Sequence, residues 1–465
     1  MPTIPLTVRS QTFLADMVTP VGLYLAIRSR YPGSLLLESS DYRSSENSRS
    51  FICFDPIAKF VAYEDRVLTV TPDGATTTEE IESPRAVPAR LQAFLRSFDP
   101  TGSAQGGCNG FFGFTGYDAV QCFEDIEFAR AERTLPLLQY SLFRYVITLD
   151  HFRSTMTIVQ NSCDGELLPF PELESMIQSA PVRTRFHADG REQSNRTDEA
   201  HIALVEKVKV HIQRGDVFQI VPSRQFSQRY EGDDFEVYRE LRSLNPSPFL
   251  FYFDCGAFRL IGSSPEAQLL TKESRASICS IAGTYRRTGN DAEDLAAAER
   301  LKQDPKENAE HVMLVDLARN DLSRFCHPVA VEEFRAIQFY SHVIHLVSRI
   351  VGEMPSDLDP LTLLGASFPA GTLSGAPKYR AMELIDRYEE LPREWYGGCL
   401  GFFGFNGESV HAILIRTMLS QDNTLSYRAG SGVVLDSDPQ TETQEVHHKL
   451  RALRQAIDQA SRRCS

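Results

Sequence analysis

A carboxylate lies on the apolar face of a helix predicted for residues 305–319, in the second half of the chain. Glu310 shares that face with three apolar side chains, at offsets of three, four and seven residues: Met313, Leu314 and Leu317. An isolated charge in apolar surroundings is very costly, so Glu310 must have a partner. Helix geometry alone leaves two explanations open, namely a metal ligand or a buried ion pair with Arg319 or His311.

Two more carboxylates and a lysine follow a similar spacing near the C-terminus. Glu442, Glu445 and Lys449 are separated by three and four residues, which places them on one stripe of a predicted helix. This stripe is either a solvated charged face or a set of ligands. Gly430 and Gly432 lie just before it, and a turn made by such glycines can direct backbone N–H groups toward an anion.

Two single residues are of types that suit proton transfer. Glu266 in GSSPE ends a predicted strand and could act as an acid or merely cap the next segment. His345 lies among the apolar residues of SHVIHLVSR, where a hydrogen-bonded core histidine is the simpler explanation. The segment GTLSGAPK (371–378) has the composition of a phosphate-binding loop but lacks the GxxxxGK[ST] spacing, which excludes a P-loop nucleotide site.

These residues depend on a mixture of helices and strands. Thr197 is the expected cap of a helix that begins at Asp198 and ends at Gly215, and further helices are predicted at 376–387 and 439–461. Strands are predicted at 34–40, 49–56, 109–118, 144–150, 217–224, 249–254 and 259–263. The polar, aperiodic residues 180–197 are interpreted as a connection between domains. NGFFGF (109–114) is echoed by LGFFGF (400–405), a match too short to indicate a repeat.

The composition excludes several classes of function. The chain has 465 residues, of which 42% are hydrophobic and 24% charged, as expected for a globular protein of two or three domains. Its net charge of −14 is opposite to that of most nucleic-acid-binding proteins, and an anionic ligand must find local cations. We see no secretion signal, no apolar run that could span a membrane and no CxxC pair among the nine cysteines, so we expect a cytoplasmic protein with reduced thiols.

The motifs, taken together and in their order, resemble those of the chorismate-utilising enzymes. The segments that carry the resemblance are GDVFQIVPSR (215–224), IGSSPE (261–266), IAGT (281–284), AEHVMLVDLARNDL (309–322), HLVSR (345–349), FPAGTLSGAPK (368–378), YGG (396–398), IRT (415–417), GSGVVLDSDP (430–439) and QEVHHK (444–449). The resemblance implies an α+β fold of two packed, largely antiparallel sheets flanked by helices, with the active site in the cleft between them. It also implies an N-terminal part with a regulatory site, 1–195, and a chorismate-binding catalytic part, 196–465.

The resemblance assigns roles to the residues singled out above. Glu310 and Glu445 match the Mg²⁺ ligands of the family, with Glu442 supporting them from behind, and carboxylate oxygens suit that hard cation. Glu266 matches the general acid, whose pKa should therefore be raised. The substrate-binding positions are matched by Gly283, Thr284, Tyr396, Arg416, Gly430, Ser431, Gly432 and Lys449. Thr284 also counts among the catalytic residues.

Three positions resemble one branch of the family, the large subunits of anthranilate synthases. Water-using relatives carry a lysine base at the position of Gln219, whereas ammonia needs no such base, so Gln219 indicates amination. Relatives that aminate C4 carry a nucleophilic lysine at the position of Ala282, so we expect ammonia to attack C2 of chorismate with loss of the C4 hydroxyl. His345 matches the histidine linked to pyruvate elimination. The alternatives are a 2-amino-2-deoxyisochorismate synthase, an aminodeoxychorismate synthase, and a catalytically silent regulator that binds chorismate or tryptophan.

The resemblance also implies two partners besides chorismate. No glutaminase module is visible, so ammonia from glutamine requires a separate amidotransferase subunit, and we expect a hetero-oligomer that binds neither nucleic acid nor membrane. L-Tryptophan is expected as a feedback inhibitor, because LLLESS (35–40) and NPSPFLF (245–251) match the two segments of the tryptophan pocket in relatives. The pocket residues are expected to be Glu38, Ser39, Pro248, Phe249 and Leu250.

Overall fold

The structure is a computed structural model that describes residues 3–39, 48–129, 133–165, 167–177, 184–339 and 343–463. Within these ranges the backbone forms 23 strands. They are β1 (Ile4–Leu14), β2 (Leu35–Glu38), β3 (Arg49–Ala62), β4 (Arg66–Val70), β5 (Thr76–Glu80), β6 (Phe98–Gly102), β7 (Gly110–Thr115), β8 (Leu138–Asp150), β9 (Thr155–Ser162), β10 (Phe186–Ser194), β11 (Gln219–Ile220), β12 (Ser223–Gly232), β13 (Phe249–Asp254), β14 (Arg259–Ser264), β15 (Ala267–Lys272), β16 (Arg275–Arg286), β17 (Val329–Phe339), β18 (Val343–Glu353), β19 (Gly375–Ala376), β20 (Cys399–Gly404), β21 (Ser409–Ile413), β22 (Thr417–Gln421) and β23 (Thr424–Gly430).

Twelve α-helices occur in the same ranges. They are α1 (Pro20–Arg28), α2 (Val87–Arg96), α3 (Val120–Phe123), α4 (Phe170–Ile177), α5 (Asp198–Gln213), α6 (Phe235–Leu244), α7 (Asp291–Gln303), α8 (Pro305–Ser323), α9 (Pro360–Ser367), α10 (Gly371–Ser374), α11 (Lys378–Tyr388) and α12 (Pro439–Arg463). None of the described helices is long and apolar enough to cross a membrane.

The strands form a largely antiparallel network. Twenty-one of them are connected by hydrogen bonds into one closed network, and β11 and β19 form a separate two-stranded ladder. Among the described strands, the pair β1–β6 is parallel. Both halves of the chain contribute neighbouring strands, since β2 pairs with β13 and β7 pairs with β20. The prediction of an α+β fold with antiparallel sheets flanked by helices is confirmed, whereas the functional division at residue 195 stays a prediction.

Hydrophobic cores lie on both faces of the central strands. In β13, Phe251 and Phe253 belong to one core, whereas Leu250 and Tyr252 belong to the other, as the two-residue period of a strand requires. Apolar residues of α1, α6 and α12 cover the second core, and those of α2 and α9 join the first. Burial on both faces explains why strands such as β13 are continuous apolar runs rather than alternating ones.

Most predicted elements are present, and one prediction is wrong. Thr197 caps α5 by accepting a hydrogen bond from the Ala200 N–H at 3.2 Å, and Gly215 follows the helix with a φ of 79°. The segment 180–197 is more than a connection, because β10 lies within it and pairs with β12; residues 180–183 are outside the described part of the chain. Most side chains of β10 are exposed, so this strand needs no apolar alternation and its sequence lacks the usual signal.

The echoed hexapeptide has a structural reason. Phe112 lies opposite Phe402 and Gly113 opposite Gly401 in the antiparallel pair β7–β20. A Cβ on Gly113 would lie 2.0 Å from the Gln139 carbonyl oxygen, and a Cβ on Gly401 would lie 1.7 Å from that of Val410. Both glycines are therefore required by the close approach of neighbouring strands. The two similar segments pair directly and connect the N-terminal half to the strand that follows Tyr396.

Candidate active site

Glu310 on α8 faces the short strand β11. The side chain of Gln219, the first residue of β11, donates from Nε2 to Glu310 Oε1 at 3.1 Å. Gly432 packs against the same pair, because a Cβ at that position would lie 2.8 Å from Gln219 Nε2 and 3.8 Å from Glu310 Oε1. A glycine is needed here for space, and it leaves the carboxylate accessible from the turn that precedes α12.

The two ion-pair partners considered for Glu310 bond to other residues. Arg319 donates to Asp316 at 2.7 Å, and His311 is hydrogen-bonded to Ser348 at 2.6 Å. One ring nitrogen of His311 and one terminal nitrogen of Arg319 are therefore bonded to residues other than Glu310. Glu310 instead takes part in the polar cluster around β11.

The first turns of α12 supply the second carboxylate. Lys449 Nζ lies 2.7 Å from Glu445 Oε1 and donates to the Gly430 carbonyl at 2.9 Å. Glu442, on the same stripe, is buried. The stripe is therefore only partly solvated: it lies against the glycine-rich turn that also borders Glu310, while the side chains of Glu445 and Lys449 are 45% and 33% exposed.

Arg416 and Tyr396 lie on the same side of the cluster. The Arg416 guanidinium donates to the Lys449 carbonyl, and its backbone has a φ of 51°, which is uncommon outside glycine and frequent at functional sites. Burial lowers the pKa of Arg416, while Tyr396 and Glu445 oppose that shift. Burial also raises the pKa of Tyr396, so it is a neutral hydrogen-bond donor. A guanidinium and a phenol in this position are suited to binding a carboxylate.

Two buried polar atoms near the turn have no hydrogen-bond partner within the described ranges, namely Gln219 Oε1 and Ser431 Oγ. Gln219 is 3% exposed and Ser431 0% exposed. Buried polar groups in folded proteins are almost always hydrogen-bonded. With a small polar ligand, Gln219 Oε1 can accept a hydrogen bond, and the Ser431 hydroxyl can accept or donate one.

Glu266 has the environment of a proton donor. It follows β14, and its Oε1 accepts a hydrogen bond from the Thr372 hydroxyl on α10 at 3.1 Å. Burial raises its pKa to about 7, although the bond from Thr372 and the charge of Lys449 both act to lower it. A carboxyl group with that pKa is partly protonated near neutral pH, as general acid catalysis requires. Glu266 is thus not a simple cap of the next segment.

His345 is held by a bulge between β16 and β18. The register of this pair shifts between Ala282 and Thr284, and Gly283 at the bulge has a φ of 66°. His345 Nδ1 donates to the Gly283 carbonyl at 2.9 Å. A carbonyl can only accept, so Nδ1 carries the proton and Nε2 is the basic nitrogen of the neutral ring. Burial lowers the pKa of His345, and for Thr284 only the backbone, paired with His345, is described.

The donor set fits a magnesium ion. Glu310 and Glu445 both border the turn 430–432, one through Gly432 and the other through Lys449. No group of three or more His, Cys, Asp or Glu side chains forms a metal cage among the described residues. Mg²⁺ is usually held by only one or two carboxylates, together with water and substrate oxygens. Two carboxylates that border one turn are donors of the type that suits such an ion.

The two segments predicted to form an inhibitor pocket are neighbours. Glu38 at the end of β2 lies opposite Leu250 of β13. Glu38 accepts a hydrogen bond from the Tyr238 hydroxyl at 2.5 Å and forms an ion pair with Arg242 at 2.9 Å. The carboxylate therefore already has two protein partners, which fix its position.

The remaining pocket residues flank this pair. The Ser39 N–H donates to the Arg49 carbonyl at 3.2 Å. Pro248 and Phe249 are half-buried, and Leu250 is buried. The segments are close enough to share a ligand, and the role of these residues in binding one stays a prediction.

Sequence reasoning missed Thr372 and the buried arginines Arg393 and Arg428. Thr372 lies in FPAGTLSGAPK, but its partner Glu266 is 106 residues away in the chain, a contact that no local spacing predicts. Arg428 stands in LSYRAG, the last six residues of β23, and Arg393 and Arg428 are 2% and 1% exposed. A charged residue within a run of strand-forming residues was the signal that could have identified Arg428.

Comparisons with known proteins identify the family and the fold. A family model described as chorismate binding enzyme matches residues 34–455. Anthranilate synthase component 1 of Synechocystis sp. is 36% identical, over 96% of this chain and 95% of its own length, and that of Mycolicibacterium smegmatis is 35% identical, over 96% and 90%. The crystal structure of anthranilate synthase component I from Streptococcus pneumoniae matches with a TM-score of 0.77 and 26% identity, covering 95% of this chain and 99% of that one. The menaquinone-specific isochorismate synthase from Escherichia coli, at 19% identity and a TM-score of 0.76 over 98% and 95% of the two chains, supports the fold alone.

Proposed function

The chain belongs to the family of chorismate binding enzymes, and from this premise we propose that it is the large subunit of an anthranilate synthase. It converts chorismate and ammonia into anthranilate, pyruvate and water. The choice of ammonia as the nucleophile rests on Gln219. This buried neutral amide is hydrogen-bonded to Glu310, at the position where relatives that add water have a basic lysine. Ala282, which has no nucleophilic group, supports attack at C2 rather than C4.

The reaction has two stages. In the first, Glu266 donates its proton to the C4 hydroxyl of chorismate, which leaves as water while ammonia adds at C2 and the double bonds shift. Thr372 orients the carboxyl group of Glu266 through the hydrogen bond at 3.1 Å. The product of this stage is 2-amino-2-deoxyisochorismate. It keeps the enolpyruvyl ether that must be removed before the ring can become aromatic.

In the second stage, His345 removes the proton at C2. Its Nδ1–H is bound to the Gly283 carbonyl, which leaves Nε2 as the base, and burial favours the neutral ring. The electron pair of the C–H bond forms the aromatic ring, the bond between C3 and the ether oxygen breaks, and the enolpyruvate that leaves takes up a proton to become pyruvate. The hydrogen bond to the Gly283 carbonyl thus makes Nε2 the nitrogen that can accept a proton.

The substrate carboxylates are proposed to bind at the turn 430–432. Arg416, Tyr396 and Lys449 supply cationic and neutral donors, and Ser431 and the backbone of the turn supply further ones. Glu310 and Glu445 would hold Mg²⁺, with the buried Glu442 behind them. When bound, that ion supplies the positive charge that orients and neutralises a substrate carboxylate in a protein whose net charge is −14.

The same proposal includes three further statements about the chain in the cell. A separate glutamine amidotransferase subunit supplies ammonia, as the designation component 1 of the relatives supports. The assembly is cytoplasmic. L-Tryptophan inhibits it by binding beside Glu38, Ser39, Pro248, Phe249 and Leu250, where β2 and β13 meet.

One assay tests the proposed activity. Purified protein is incubated with chorismate, Mg²⁺ and ammonium, and the products are separated by chromatography. We expect fluorescent ortho-aminobenzoate and an equal amount of pyruvate. Accumulation of 2-amino-2-deoxyisochorismate would indicate a synthase that stops after the first stage, 4-amino-4-deoxychorismate would indicate attack at C4, and the absence of turnover would indicate a regulator without catalytic activity. Each of these results contradicts the proposal.

A further inference from the structure

A buried ionic cluster lies beside the site and has no part in the reaction as described. It consists of Glu389 and the two arginines Arg393 and Arg428, which are 3%, 2% and 1% exposed. Arg393 lies 2.6 Å from Glu389 Oε1, and Arg428 lies 2.8 Å from Glu389 Oε2. Burial alone would raise the pKa of Glu389, but the two guanidiniums lower it to about 2. The cluster is therefore a fixed set of charges at any physiological pH.

The remaining donors of Arg393 are directed at two backbone carbonyls of the site. One terminal nitrogen donates to Leu373 at 2.6 Å, and the other donates to Val221 at 2.5 Å. Leu373 directly follows Thr372, and Val221 directly follows β11, which carries Gln219. One guanidinium thus connects the segment that holds the general acid to the segment that faces Glu310.

Two further contacts extend the connection to the substrate-binding side. The Arg393 guanidinium lies 5.5 Å from the ring centroid of Tyr396, within the range of a cation–π contact. Arg428 donates to the Ser223 hydroxyl at 2.8 Å, and Ser223 is paired with Gly430. The cluster therefore contacts the segments that carry Thr372, Gln219 and Tyr396, and it reaches Gly430 through Ser223.

We propose that Arg393 is a positioning residue for the reaction, which holds Thr372 in place to orient Glu266. Its planar group with five N–H donors binds both oxygens of Glu389 and two carbonyls at once, one bond more than the three donors of a lysine can make. Misplacement of a reacting group by about 1 Å can cost about 100-fold in rate. The inference rests on the proposed function in one respect, namely that Glu266 is the acid whose orientation limits the rate.

A double-mutant cycle tests this role. The variants are Arg393→Met, Thr372→Val and the combination of both, assayed for kcat with chorismate, Mg²⁺ and ammonium. If Arg393 acts through Thr372, each single variant loses about 10- to 100-fold in kcat, and the combination loses within about twofold of the worse single variant. Losses that multiply would show that Arg393 and Thr372 act independently, and would overturn the proposal. An inactive wild-type protein would instead overturn the proposed function.

Two controls separate positioning from folding. Trp395 is the one tryptophan of the sequence and is 1% exposed, so its emission spectrum reports whether the segment next to Arg393 is still folded. Arg28→Met removes another arginine that has a carboxylate partner, Asp233 at 2.8 Å, but no contact with the site, and we expect it to leave kcat unchanged. If Arg393→Met does not fold, Arg393→Lys replaces it in the cycle, with the same two outcomes.

Discussion

At the residue scale, two carboxyl groups, the half-buried Glu266 and the buried Glu389, have opposite chemistry because their neighbours differ. Glu266 faces one hydroxyl and a more distant lysine, and burial raises its pKa to about 7. Glu389 lies between two guanidiniums, and its pKa is lowered to about 2. The first group can carry a proton at neutral pH and the second cannot. Burial by itself therefore does not identify a carboxyl group that keeps its proton at neutral pH. The number of neighbouring cations must be considered as well.

The first prediction concerns Glu266 as the proton donor. The acid must be protonated, so kcat/KM at a constant concentration of free ammonia should be constant below pH 7 and fall as the pH rises through the pKa of about 7. Glu266→Gln should lose about 10²- to 10⁴-fold in kcat, while the exposed control Glu273→Gln should be unaffected. A wild-type kcat/KM that does not fall above pH 7, or a Glu266→Gln variant with normal kcat, would exclude this role.

The second prediction concerns Glu310 and Glu445 as magnesium ligands. Glu310→Gln and Glu445→Gln each remove one anionic oxygen ligand, so each should raise the Mg²⁺ concentration for half-maximal activity by at least about tenfold. Calorimetric titration of Mg²⁺ in the presence of chorismate measures the same loss without turnover. Glu299→Gln on the exposed side of α7 is the matched control. Normal Mg²⁺ affinity in either variant would remove that residue from the site.

At the element scale, irregular positions in the strands place the chemical groups. The bulge between Ala282 and Thr284 turns the Gly283 carbonyl toward His345, and the two-residue strand β11 places Gln219 beside α8. These irregularities are common beside active sites because they redirect one side chain without breaking the sheet. The regular parts of β16 and β18 only hold the bulge in position.

The third prediction tests the bulge. Gly283→Ala should lower the free energy of unfolding by about 1–2 kcal/mol because the φ of Gly283 is positive. Crowding should add to this loss, because the new Cβ would lie 2.7 Å from Leu301 Cδ1. Gly289→Ala is the control, since Gly289 also has a positive φ but nothing within 4 Å of its Cβ. Urea unfolding should show the larger loss for Gly283→Ala, and only this variant should slow pyruvate release. Equal losses in both variants would contradict the crowding argument.

The sequence predicted some of these features and missed others for physical reasons. The helices at α5, α8 and α12 were predictable because capping residues and apolar periodicity are local signals, and so was the position of Glu310 on an apolar face. β10 was missed because a mostly exposed strand has no apolar alternation. The Thr372–Glu266 bond and the Arg393 cluster were missed because they join segments far apart in the chain. The roles of Glu266 and His345 came from the resemblance to a family, since their local sequence allows simpler explanations.

At the scale of the whole molecule, strands of the N-terminal part pair with strands of the C-terminal part, so a ligand in one part can affect the other. β13, which begins at Phe249, pairs with β2 on one side and with β14 on the other. Phe249 lies opposite Ser264, which is two residues before Glu266. A shift of β13 upon binding of an inhibitor beside Glu38 would therefore be transmitted to the general acid through one strand.

The fourth prediction is that tryptophan and chorismate weaken each other's binding by the same factor. Linkage requires this reciprocity if tryptophan favours one of two positions of β13, and couplings of this kind are typically about 5- to 150-fold. Calorimetric titration of tryptophan should give a weaker affinity in the presence of chorismate and Mg²⁺ than in their absence. Ser39→Phe should abolish tryptophan binding by placing a bulky ring in the proposed binding site, whereas Ser103→Phe, at an exposed position after β6, should not. Equal tryptophan affinity with and without chorismate would mean that the paired strands β2 and β13 do not couple the two sites, even if tryptophan binds.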